Sequence, residues 1–174
     1  MTTMGKLLIL VSIALYASSV QAKALAQMPS TTDWRGLSPI QSTRMDVERT
    51  LGPPDQKIED DQVTYYYPDV VVYFHFTSNR KCGQKLPYTS WDVTSDTITG
   101  IRVVFRHPRL VSEADIDLTK LKKVKGDYDL VGHFYYINFE DGFAIEVGNN
   151  YVMGYLYGPG SKLSKLRCEA STQR

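Results

Sequence analysis

What the chain lacks narrows its chemistry first. Lys+Arg number 20 against 19 Asp+Glu, a net charge of +1, so there is no overall electrostatic case for binding nucleic acid or an anionic surface. His75, His107 and His133 are dispersed, with no His-x-His or His-x-x-x-His pair, and no metal site is expected. A Gly-x-Ser-x-Gly elbow is missing. Gly158-Pro159-Gly160-Ser161-Lys162 lacks the spacing of a phosphate loop and reads as a strand-ending turn. Glu59-Asp60-Asp61, Asp115 with Asp117, and Glu140-Asp141 lack the alternating spacing of a calcium loop and read as solvated charge. No catalytic residue, metal or cofactor is assigned, and the chain is read as non-enzymatic.

Long apolar runs are missing too, apart from one at the start. Lys6 precedes Leu7-Leu8-Ile9-Leu10-Val11-Ser12-Ile13-Ala14-Leu15-Tyr16-Ala17, which is too short to span a bilayer and suits the core of a secretory signal. Val20-Gln21-Ala22 offers cleavage after Ala22, and Ala24-Leu25-Ala26 is a second option. A retained anchor helix is the competing reading, disfavoured by the polar Ser18, Ser19 and Gln21. Cleavage before Lys23 removes one base and no acid, leaving a neutral soluble chain, periplasmic or secreted, with no further membrane span. No cysteine stands near the cleavage point to carry a lipid anchor. The two cysteines, Cys82 and Cys168, would then meet an oxidising compartment and are expected to form a disulfide. In the chain-entropy picture a bridge over so long a loop stabilises by about 4–5 kcal/mol.

Residues 23–33 read as a disordered leader, with folding expected from Trp34. Thr43 is placed as the N-cap of a short helix, Asp46 as the acid that returns to it, and Gly52-Pro53-Pro54 as its stop. Val63–Tyr67 and Val70–Phe76 flank Pro68-Asp69 as a hairpin, and Thr97–Phe105 makes a third strand. The order then recurs: a helix within Ser112–Asp129, then strands at His133–Phe139, Phe143–Val147 and Tyr151–Tyr157. On this reading Lys120, Lys122, Lys123 and Lys125 form the wet side of the second helix. The expected fold is therefore α+β, with two helix-plus-three-strand units, 34–108 and 109–168, forming antiparallel sheet with helices on one face, and a tail at 169–174.

The segment Thr43-Arg44-Met45-Asp46-Val47-Glu48-Arg49-Thr50-Leu51-Gly52-Pro53-Pro54 resembles the Thr-x-x-x-Val-x-x-x-Leu-Gly-x-Pro stretch of the outer-membrane assembly lipoproteins of BamE or SmpA type. The tandem order is similar to that of the β-lactamase inhibitor protein. Trp34 to Cys168 also looks like a group of short exported bacterial proteins without assigned function. The resemblance implies helices over one face of an antiparallel sheet and a binding role without catalysis.

Strand register assigns the faces. A three-residue loop, Glu140-Asp141-Gly142, would pair Ile137 with Ile145 and Tyr135 with Val147. A turn at Asn149-Asn150 would turn Val152, Gly154 and Leu156 inward. The opposite face then gathers Tyr136, Asn138, Glu146, Tyr151, Met153, Tyr155 and Tyr157, with Tyr66, Tyr73 and His75 from the first hairpin and Arg102 from the third strand. Tyr, Met, Arg and His suit a protein interface, although tyrosine also favours strands for its own reasons. The leading expectation is an exported module that binds a protein partner, not nucleic acid, through Tyr66, Tyr73, His75, Arg102, Tyr136, Tyr151, Met153, Tyr155 and Tyr157. A small envelope hydrolase using His75, and a ligand-carrying or structural domain, are the alternatives.

Overall fold

Between Gln62 and Tyr157 the chain is rich in β-branched and aromatic residues, and most of its strands form there. The computed structural model describes residues 30–77, 91–114, 116–125 and 132–167. Eight strands run β1 (Gln56–Glu59), β2 (Gln62–Tyr66), β3 (Val70–Phe76), β4 (Ile98–Leu110), β5 (Lys122–Lys125), β6 (His133–Asn138), β7 (Phe143–Gly148) and β8 (Tyr151–Tyr157). They form one sheet in the order β1-β2-β3-β4-β8-β7-β6-β5. Every pairing is antiparallel, and the four-strand halves β1–β4 and β5–β8 meet where β4 lies against β8.

One α-helix is present among the described residues, α1 (Arg44–Leu51). The Thr43 side chain accepts from the Asp46 N–H, and the Asp46 carboxylate accepts from the Thr43 N–H at 2.9 Å, so two end groups of the helix are satisfied together. Those bonds from Thr43 hold the Asp46 carboxyl below its ordinary range. Gly52, at φ 83°, lets the chain leave the last turn. Val47 is fully buried, and Leu51 packs beside it on the sheet.

The inner face carries Val63, Tyr65, Val72, Phe74, Ile101, Val103, Phe143, Ile145, Val147, Val152 and Tyr157 in a continuous core. Each large apolar side chain sealed there contributes about 1.5–3 kcal/mol. Leu37 and Val47 of α1 belong to this core, and Trp34, Leu51, Val111, Ala114, Ile116, Leu118 and Leu121 pack against it.

The expected pair of helix-plus-three-strand units is overturned. No α-helix forms among the described residues of Ser112–Asp129, which make two 3-10 turns, Val111–Glu113 and Leu118–Lys120, followed by strand β5. The Asp117 carboxylate takes the Thr119 N–H at 3.1 Å and caps the second of these turns. Three of the four lysines assigned to a helix face are therefore strand residues. One eight-stranded sheet with a single α-helix is not the tandem helix-and-strand architecture implied by the likeness to BamE-type lipoproteins, so the α+β class, the tandem repeat and that recognition are all corrected here. Cys82 and Cys168 lie outside the described residues, and no disulfide occurs among the described ones. The signal segment 1–22 and most of the leader also lie outside them.

Candidate functional site

The side of the sheet facing away from α1 is the candidate. In the first half, register sets Thr64 beside Tyr73 and Tyr73 beside Arg102; His75 stands between Gln62 and Gly100. Tyr66 is 48% exposed and closes that face at one end, its hydroxyl donating to the Gln56 side chain at 2.6 Å. The Arg106 guanidinium lies 5.9 Å from its ring centre. His75 is exposed at its edge, yet partial burial lowers its pKa, and Arg102 pushes the same way against Asp61.

In the second half two local irregularities reset the faces. Asn138 collects the Glu140 and Asp141 N–H groups on its side-chain oxygen at 3.1 and 3.3 Å, and the Gly142 N–H returns to the Asn138 carbonyl at 2.9 Å. Gly142 takes φ 74°. The loop is therefore four residues long, pairing Asn138 with Phe143, Tyr136 with Ile145 and Phe134 with Val147. Asn149 and Asn150 both adopt positive φ, 49° and 68°, and Val152 turns inward. A register shift then follows at β8, where Glu146 meets Gly154 while Val147 meets Val152. The extra residue, Met153, inverts the alternation beyond it.

Tyr155 and Tyr157 consequently point into the core. Tyr155 makes an edge contact with Phe105 at 5.0 Å, and Tyr157 lies 5.3 Å from Phe143 and is 2% exposed. Burial raises the pKa of both phenols. Tyr136 is also on the inner side, half-buried, with the Lys123 ammonium 5.7 Å from its ring. Tyr151, 42% exposed, sits opposite Gly148. Met153 hangs over that glycine together with the His133 ring; both come within 3.7 Å of where a Gly148 Cβ would be.

The residue at the middle of the outer face is Glu146, a carboxylate in an otherwise apolar strand. Its side chain is only 8% exposed. Arg102 Nη2 donates to both of its oxygens at 3.0 Å, reaching across β8, and His133 Nε2 lies 3.0 Å from Oε1. Gly154 stands between Val104 and Glu146 in register and presents no side chain there, whereas Arg102 lies opposite Leu156. A Cβ on Gly154 would also run into the Val103 carbonyl oxygen, so the position is closed to larger residues. His133 is 11% exposed, whereas Arg102 keeps 42% of its side chain in solvent. Arg102 Nε and His133 Nδ1 are buried with no hydrogen-bond partner among the described residues.

The structure thus brings together Tyr66, Tyr73, His75, Arg102, Tyr151 and Met153, and separates Tyr136, Tyr155 and Tyr157 from them. The sequence reading passed over His133 as an ordinary strand histidine and set Glu146 among the outward residues without a role. One signal was available: a lone acid in Phe143-Ala144-Ile145-Glu146-Val147, where its neighbours demand burial, requires a partner of opposite charge. Among the described residues, no three His, Cys, Asp or Glu side chains converge to hold a metal, and no helix is long and apolar enough to cross a membrane.

No family model matches the chain, and no curated protein matches it. A solved structure with some likeness is a DUF4309 family protein (YjgB) from Bacillus subtilis, 14% identical, covering 77% of this chain and 88% of that one, with a TM-score of 0.45. At that distance neither its fold nor any role transfers to this chain.

Proposed function

We propose that this is an exported, non-catalytic module that binds a protein partner through the outer face of its sheet, with Tyr66, Tyr73, His75, Arg102, Tyr151 and Met153 as the contact residues. The observation behind this reading is the posture of Arg102. A buried carboxylate fixes the guanidinium from one side while two-fifths of the side chain stays in water. An arginine held in place loses less rotamer freedom on binding than a free one, and Tyr73, a residue type favoured at the centres of interfaces, stands beside it in register. These residues stand on strands paired in one antiparallel sheet, a setting that positions side chains before a partner arrives.

The test is crosslinked capture from the native envelope with the purified protein as bait. Tyr66→Ala with Tyr73→Ala should abolish recovery of a partner that wild type retains, with the melting temperature almost unchanged. Tyr155→Ala with Tyr157→Ala should instead lower the melting temperature sharply. Undiminished capture by the first pair refutes the contact surface, and hydrolytic turnover that disappears with His75→Ala would establish the rival reading. Export is tested separately: the N-terminus of the protein recovered from outside the cytosol should be Lys23, and an intact chain confined to the cytosol overturns it.

A further inference from the structure

The two edges of the sheet carry opposite charge. At one end lies β1, and Asp55 to Asp61 read Asp-Gln-Lys-Ile-Glu-Asp-Asp, four acids against one base. At the other end lies β5, and Lys120 to Lys125 read Lys-Leu-Lys-Lys-Val-Lys, four bases and no acid. Each edge strand is four residues long and pairs with a single neighbour, so its outward N–H and C=O groups have no ladder partner among the described residues. Gln56, Lys57, Ile58 and Asp60 are exposed on the first edge, as are Lys122, Lys123 and Lys125 on the second. None of those three lysines joins an ion pair among the described residues. Lys122 and Lys123 instead lie over aromatic rings, at 5.5 Å from Phe139 and 3.8 Å from Phe134.

An open strand edge is a template for another strand, and like charges are the usual defence. Here that defence works against only one of the two ways copies can meet. β5 against β5 sets lysine against lysine, and β1 against β1 brings together two Asp55–Asp61 segments that are each net acidic. β1 against β5 sets opposite charges together. In an antiparallel register with Glu59 opposite Lys122, Asp61 falls opposite Lys120 and Lys57 opposite Val124, so no like charges face each other.

We propose that β1 of one copy docks on β5 of a second copy, continuing the sheet from molecule to molecule in a head-to-tail association driven by charge. Because the two patches differ, the contact does not close on itself as a two-fold dimer does, and a chain or ring of copies results. The outer face is left free in this arrangement, so it stands independently of the partner-binding reading above.

The test is sedimentation equilibrium of the purified protein over a range of concentrations, at low and at high salt. Wild type should show a weight-average mass that climbs past the monomer as concentration rises at low salt, with apparent affinity falling at least about tenfold in high salt, as expected for exposed charge pairs. The triple variant Lys122→Glu, Lys123→Glu, Lys125→Glu should stay monomeric, as should Asp60→Lys with Asp61→Lys. An equimolar mixture of the two should associate again, because each then supplies the edge complementary to the other; this arm also excludes misfolding as the cause of either loss. A monomeric wild type at every concentration in low salt overturns the proposal, as does association that persists in the single variants. Binding of β5 to vesicles of anionic phospholipid by a protein that remains monomeric would assign that edge to a lipid surface and equally overturn it.

Discussion

The β1–β4 half and the β5–β8 half of the sheet use the same kinds of residue but resolve them differently. In the first, the alternation runs without interruption through β2 and β3: Val72, Phe74 and Tyr65 go in, Tyr66 and Tyr73 go out, and a capped helix lies over the core. In the second, a four-residue loop stapled by Asn138 and an extra residue at Met153 shift the pairing, and 3-10 turns replace the second helix. The difference shows that alternation reports faces only between irregularities. Each bulge or added loop residue inverts everything beyond it until the next.

The sharpest way to break this comparison is to ask whether the halves are one core. Phe74, beside Trp34 and Tyr65, and Phe143, beside Tyr155 and Tyr157, are both fully buried. Replacing either by Ala should cost about 3–5 kcal/mol, read as a shift in denaturant midpoint within a single transition. Two separate transitions would mean two independently folding units.

Next in size is Glu146→Ala, which strands Arg102 and His133. Loss of one partner from a fully buried ion pair costs more, but solvent reaches the Arg102 guanidinium, so the expected loss is about 2–3 kcal/mol. Glu146→Gln keeps an acceptor and should cost less in the same denaturant titration. Equal stability of wild type and Glu146→Ala would show that the outer cluster contributes nothing to the β5–β8 half.

Thr43→Ala removes one arm of the helix cap and should cost about 1 kcal/mol, measured by thermal unfolding. Asp117→Ala, in the non-helical cover of the other half, should cost less, since it holds a single exposed turn.

The smallest effect is a pH slope. His75 has a lowered pKa in the folded state, chiefly from partial burial, against an ordinary value of 6.5. The unfolded chain therefore binds more protons as pH falls through that value, and stability should decline as pH falls through about 6.5. His75→Gln should flatten that part of the profile, and an unchanged slope would trace it to another group.

Much of the first half was legible because its signals are local. Thr43 and Asp46 cap α1 through atoms three residues apart, and Val70–Phe76 alternates around a short turn. The placing of Tyr66, Tyr73, His75 and Arg102 on one face followed from counting alone. The second half was misread where a single side chain outweighed the pattern. Asn138 lengthened a loop by gathering two amides, Met153 widened β8, and Asp117 capped only a short 3-10 turn. The short edge strand β1 carried no hydrophobic alternation to reveal it.

By itself the sequence determined the strand-rich core, the one capped helix and the tight turn at Asn149-Asn150, because each depends on the stereochemistry of residues close along the chain. Only the tertiary structure decided that four strands from each half share one sheet, that Tyr155 and Tyr157 belong inside, and that Glu146 meets Arg102 across an intervening strand. Those outcomes depend on which backbones lie side by side, and a bulge of one residue is enough to exchange inside for outside.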